Sequence, residues 1–65
     1  MIKLLKKNGI FAVNPQSGDL KFYREGDEVI IKDNSRDLFV KDLFHFYDRS
    51  GYVFELKETD YILLS

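Results

Sequence analysis

Asp37-Leu38-Phe39-Val40-Lys41-Asp42-Leu43-Phe44-His45-Phe46-Tyr47-Asp48 admits two conformations, and the class of the whole chain turns on which it adopts. At about 100° per residue, Phe39, Val40, Leu43, Phe44, Phe46 and Tyr47 gather on one side of a helix. Asp37, Lys41, Asp42, His45, Asp48 and Arg49 gather on the other, and only Leu38 is misplaced. Ser35 would cap the start and Gly51 the end, giving a helix over about residues 35–48 and an α+β protein. The extended alternative makes a claim about register. If Asp48-Arg49-Ser50-Gly51 is a type I turn with a glycine bulge, Asp48 lies opposite Tyr52. Counting back pairs Tyr47 with Val53, Phe46 with Phe54, His45 with Glu55 and Phe44 with Leu56. One face then holds Phe44, Phe46, Phe54 and Leu56, all apolar, and the other carries His45 and Glu55. A turn chosen on local grounds thus sorts the side chains onto sensible faces. Phe, Tyr and Val also suit strands better than helices. Phe44 to Asp48 is therefore read as a strand. The alternation slips near Lys41-Asp42, which leaves Ser35 to Leu43 open between a bulge and a short helical turn.

The rest of the chain repeats this rhythm of short apolar runs and turn residues. Asn8-Gly9, Asn14-Pro15-Gln16-Ser17-Gly18 and Glu25-Gly26-Asp27 break it at short intervals. Asn8-Gly9 tolerates positive φ at both positions, as a type I′ turn requires, so Leu4 to Lys7 is expected to pair with Ile10 to Val13. After Gly26, Asp27-Glu28-Val29-Ile30-Ile31-Lys32 reads as a central strand. Lys57-Glu58-Thr59-Asp60 is a polar turn, and Tyr61-Ile62-Leu63-Leu64 a last short strand. No linker or low-complexity tract divides the chain, so residues 1–65 form one domain.

The order from Gly26-Asp27-Glu28-Val29-Ile30-Ile31-Lys32 through a later hairpin, a polar single turn and a closing apolar strand resembles an SH3-like small barrel. The resemblance spans about residues 25–64 and rests on pattern. It implies that the polar turn is a 3₁₀ turn leading into the final strand. The transcription-factor and ribosomal branch of that fold carries a second glycine soon after its first strand. Here no glycine falls between Gly26 and Gly51, so that branch's nucleic-acid role is not carried over. The expected fold is all-β: a small SH3-like barrel or a curled antiparallel meander.

A chain of 65 residues buries only roughly 60% of the surface it exposes when unfolded. Six Phe and four Tyr compensate with large area per residue, in the absence of any cysteine to form a disulfide or a thiolate metal site. Stability then rests on aromatic packing, or partly on self-association. Ten basic and eleven acidic residues leave a net charge of −1, without the basic excess of a generic nucleic-acid binder. No apolar run approaches the ~18 residues that span a bilayer, and Met1 to Lys7 lacks the features of a signal peptide. A cytoplasmic location is the expectation, with no membrane partner.

The chemistry-bearing residues are few. His45 is the single histidine and is expected to form a solvated cross-strand pair with Glu55 rather than an acid–base centre. Asp48 is expected to accept hydrogen bonds from the backbone of its own turn. No serine lies in a nucleophile motif, no calcium-loop spacing occurs, and the glycines are too isolated to cradle phosphate. Neither an enzyme, a cofactor nor a metal is expected. Ten aromatic side chains exceed what so small a core holds, and the polar-tipped Tyr23, Tyr47, Tyr52 and Tyr61 are the candidates for an exposed protein-binding patch. Lys3, Lys6, Lys7, Lys21 and Arg24 are the candidates for the alternative, a basic edge that binds nucleic acid. The expected function is a small non-enzymatic binding module acting through a protein partner. High Lys, Ile, Asn, Phe and Asp usage is compatible with a phage or mobile-element protein that modulates a host complex.

Overall fold

The computed structural model describes residues 1–64, and Ser65 lies outside them. Eight strands alternate with turns: β1 (Ile2–Leu4), β2 (Ile10–Val13), β3 (Leu20–Tyr23), β4 (Glu28–Val29), β5 (Ile31–Arg36), β6 (Leu43–Asp48), β7 (Val53–Lys57) and β8 (Tyr61–Leu63). A 3₁₀ turn, Glu58–Asp60, leads into β8. The chain is all-β, with 52% of its residues in strands. The α+β alternative falls, because residues 31–36 and 43–48 are extended. The strands form two antiparallel sheets, β4-β1-β8 and β3-β2-β7-β6-β5, and neither closes on itself.

The β6–β7 hairpin has the register that the turn dictates. Phe44 pairs with Leu56, His45 with Glu55, Phe46 with Phe54 and Tyr47 with Val53. The Gly51 amide donates to the Asp48 carbonyl at 3.2 Å, the Asp48 amide donates to Tyr52 at 2.9 Å, and Gly51 sits at φ +88°. A side chain there would be strained, which is why the bulge position carries glycine. The slip near Lys41-Asp42 is a turn in which Asp42 is left-handed, at φ +62°.

Two expectations fail. The hairpin across Asn8-Gly9 does not form, although both residues have positive φ and the Gly9 amide closes a turn onto the Lys6 carbonyl at 3.1 Å. β1 instead lies between β4 and β8, with Ile2 opposite Val29 on one side and Leu63 on the other. Both of its edges are occupied, so none is left for β2, and the turn carries the chain from one sheet to the other. The supposed central strand over Asp27 to Lys32 is broken at Ile30. Its halves, β4 and β5, are edge strands of different sheets, and the shift in register between Ile31 and Asp33 accommodates the transfer.

The core lies between the sheets. Ile2, Leu4 and Val29 enter from the three-stranded sheet, and Ala12, Tyr23, Phe46, Phe54 and Leu56 from the five-stranded one. Phe46 and Phe54 stack with centroids 5.6 Å apart, while Tyr61 meets Phe46 edge-on at 4.9 Å and Tyr23 tilts against Phe54 at 5.4 Å. Each such ring contributes roughly 1.5–3 kcal/mol by leaving water.

Candidate functional site

Strand parity separates the residues of the five-stranded sheet into two faces. Ile10, Ala12, Lys21 and Tyr23 point inward; Phe11, Val13, Leu20 and Phe22 point outward. Val13 pairs with Leu20 on one side and Val53 on the other, and Val53 pairs with Tyr47. A row Leu20–Val13–Val53–Tyr47 therefore crosses four strands, and the pair Phe11–Phe22, rings 4.9 Å apart, lies beside it. Leu20 is 68% and Phe11 65% exposed. Phe11, Val13, Leu20 and Phe22 are thus exposed together on one sheet face. Gly9 adjoins it: a Cβ there would meet the Tyr23 carbonyl at 2.3 Å and the Phe22 ring at 2.6 Å, so the turn must be glycine for Phe22 to lie where it does.

The inner rim of the same sheet holds the single buried charge among the described residues. Asp48 is 3% exposed. Its Oδ1 accepts from the Ser50 amide at 2.8 Å and the Tyr52 amide at 3.0 Å, as the turn chemistry predicts. Its Oδ2 accepts from the Tyr23 hydroxyl and faces Lys21 Nζ at 3.8 Å. Burial pushes the Asp48 carboxyl up, but the Tyr23 hydroxyl, the two amides and Lys21 together hold it below the usual carboxylate range. The Tyr23 phenol moves the other way, raised first by burial and then by its bond to Asp48. Lys21 spans the rim, 5.1 Å from the Tyr23 ring and 5.2 Å from the Tyr52 ring. The cluster locks the β6–β7 turn to β3.

His45 lies on the outer face next to Glu55 (Nδ1 to Oε1, 3.5 Å), and also bonds Asp37 (Nε2 to Oδ1, 2.8 Å). Asp37 is the partner that spacing along the hairpin does not reveal, since it reaches back from the β5–β6 loop. Its other oxygen accepts from the Phe39 and Val40 amides at 2.9 and 2.6 Å. The His45 bond and then these amides lower the Asp37 carboxyl to about 2. The loop so braced holds Phe39 94% exposed. The carboxylates take opposite sides of the imidazole, and no three metal-ligating side chains converge among the described residues.

Of the four tyrosines, only Tyr47 lies on the exposed face. Tyr23 is a core residue, and Tyr52 and Tyr61 are half-buried against the core, with burial and then Glu58 raising the Tyr61 phenol. The expectation of an exposed tyrosine cluster is thus corrected. Apart from Tyr47, the exposed rings are phenylalanines, because a tyrosine at an inward rim position buries its ring while its hydroxyl finds a polar partner, and parity turns Phe11 and Phe22 outward. The five basic candidates are not brought onto one face. Lys3 projects from β1 opposite Glu28, Lys6 and Lys7 lie in the turn before β2, Lys21 faces Asp48, and Arg24 donates its amide to Asp27. The chain matches no protein-family model, and no curated protein or solved structure is significantly similar to it. The likeness to SH3-like barrels therefore rests on element order alone.

Proposed function

We propose that this chain is a small non-enzymatic binding module that acts through a protein partner, using the outer face of its five-stranded sheet. The observation that carries this reading is the exposed set Phe11, Val13, Leu20 and Phe22, which the fold turns away from its own core. Apolar anchors clustered on a rigid sheet supply most of the energy of such contacts. Tyr47 closes the row at its far end. The nucleic-acid alternative lacks a comparable surface, since Lys21 is committed to Asp48 and Lys3 lies beside an acid. Cytoplasmic location and action on a host complex belong to the same reading and rest on composition.

Capture from a bacterial lysate on immobilised protein tests it. The Phe11→Ser/Phe22→Ser variant is expected to keep a β-dominated circular dichroism spectrum and lose the captured protein, and salt is expected to matter little. Retention of that protein by the variant would overturn the proposal. So would tight binding to random DNA or RNA that falls steeply with salt and is abolished in Lys6→Glu/Lys7→Glu.

A further inference from the structure

Among the described residues the five-stranded sheet ends at β3 and β5, and the two edges differ. β5 carries Lys32, Asp33, Asn34 and Arg36 and is bent by the shift in register between Ile31 and Asp33. Charge and a bulge both discourage a further strand. β3 pairs with β2 in unbroken register and contains no proline. Its one charge, Lys21, points inward, with Nζ 3.8 Å from Asp48 Oδ2, and leaves the edge backbone uncovered. The Asn14 amide donates to the Asp19 carbonyl at 2.8 Å, so Asn14 and Asp19 form a hydrogen-bonded pair. Alternation along the ladder then turns the N–H and C=O groups of Lys21 and Tyr23 toward β2, and those of Leu20 and Phe22 toward the edge. The backbone beyond is committed to turns. The Gly18 amide donates to the Asn14 carbonyl at 2.7 Å, and the Arg24 carbonyl accepts from the Asp27 amide at 3.1 Å. The open stretch therefore runs from Leu20 to Phe22. On its outer side those two residues are 68% and 45% exposed beside Val13 and Phe11. On its inner side Lys21 and Tyr23 line a cleft of about 250 Å³ together with Glu28, Ile30, Arg49 and Ser50.

We infer that this edge takes an extended segment of the protein partner, paired to the backbone of Leu20 and Phe22 and alternating apolar with polar side chains. The inference rests on the protein-binding reading of the outer face and names the form of what binds there. N–H and C=O groups offered at every second residue are met by another extended backbone, whereas a helix has bonded its own groups internally. In an added strand, the residues opposite Leu20 and Phe22 share the outer face with them. Apolar side chains there extend the row Leu20–Val13–Val53–Tyr47 by one strand. The residue between them lies beside Lys21 at the cleft, where the charged residues Lys21, Glu28 and Arg49 call for a polar side chain. Backbone bonds supply the affinity of such a complex, and the alternation of side chains its specificity.

Selection of random short displayed peptides on the immobilised chain is expected to enrich apolar residues at every second position. N-methylation of a selected peptide, one amide at a time, is expected to weaken binding about tenfold at alternate amides and about twofold or less at those between. Leu20→Pro removes an N–H that faces away from β2, so it is expected to keep a β-dominated circular dichroism spectrum and lose the peptide. Leu20→Ala, which keeps that N–H, is expected to weaken binding less. Indifference to the position of the methyl group, or equal loss in Leu20→Ala and Leu20→Pro, would overturn the pairing. Peptides that lack the alternation but are lost in Phe11→Ser/Phe22→Ser would overturn the pairing and leave the protein-binding reading standing. So would a library that enriches nothing while lysate capture remains sensitive to Phe11→Ser/Phe22→Ser. Failure of both the library and the lysate capture would overturn both.

Discussion

Asp48 shows how a single carboxylate organises a small domain. A buried charge is costly unless every lone pair is used, and here two backbone amides, a phenol and an ammonium use them. Tyr23→Phe removes the charge-assisted bond to Oδ2 and is expected to cost about 1.5–3 kcal/mol in urea denaturation. The same bond shapes the pH profile at both ends. The folded Asp48 carboxyl lies below its ordinary value, so its contribution is present above about 3.8 and is lost as pH falls through the folded value. The Tyr23 phenol is raised, so its contribution is complete below about 10 and is lost as pH rises beyond that. Tyr23→Phe is accordingly expected to flatten the decline of stability above pH 10, and an unchanged slope there would show that Tyr23 is not the group responsible.

At the level of elements, the β6–β7 hairpin and the loop before it are held by different means. The hairpin depends on the backbone of its turn. Gly51→Val forces a branched side chain to φ +88° and is expected to cost about 1–3 kcal/mol, whereas Ser50→Ala is expected to be near neutral because only the Ser50 amide is used. Equal effects in thermal denaturation would mean that the bulge is wrongly assigned. The β5–β6 loop depends on the Asp37 side chain. Its depressed carboxyl contributes above about 3.8 and loses that contribution as pH falls toward about 2. His45→Ala removes the leading cause of the depression, so the Asp37 titration followed by carboxyl NMR is expected to move back up toward the ordinary range. No movement would place the loop's support in the backbone amides alone.

Across the whole molecule, one face of the five-stranded sheet packs in the core and the other carries exposed rings. Phe46→Ala and Phe54→Ala remove rings from between the sheets and are each expected to cost about 3–5 kcal/mol. Phe11→Ala removes an exposed ring and is expected to cost under about 1 kcal/mol in a monomer, chiefly through its contact with Phe22. A large loss of stability in Phe11→Ala would mean that the outer face is buried in the form studied, and repeating the measurement at several protein concentrations would expose that linkage. Two phenylalanines and a leucine exposed on one face are the local inconsistency that the proposed function addresses.

Residue order alone determined the β6–β7 hairpin, because a turn with one permissive glycine and strands with one apolar face admit a single register. It also determined the turn bonds of Asp48, which reach no further than Tyr52. Tertiary structure decided what local preference leaves degenerate. Asn8-Gly9 makes the expected reversal, yet whether β1 then pairs with β2 depended on strands more than fifteen residues away, β4 and β8, occupying both of its edges. β2 carries apolar residues on both faces and β3 has its two purely apolar side chains on the outer one, so period-two patterning does not give the inner face. Packing chose the side with Ala12, fully buried against the aromatic core, and the bulkier Phe11, Val13, Leu20 and Phe22 went out. The tyrosine patch failed for the same reason: a ring's exposure is set by the parity of its strand within the assembled sheet, and a polar tip only decides whether the rim can hold it.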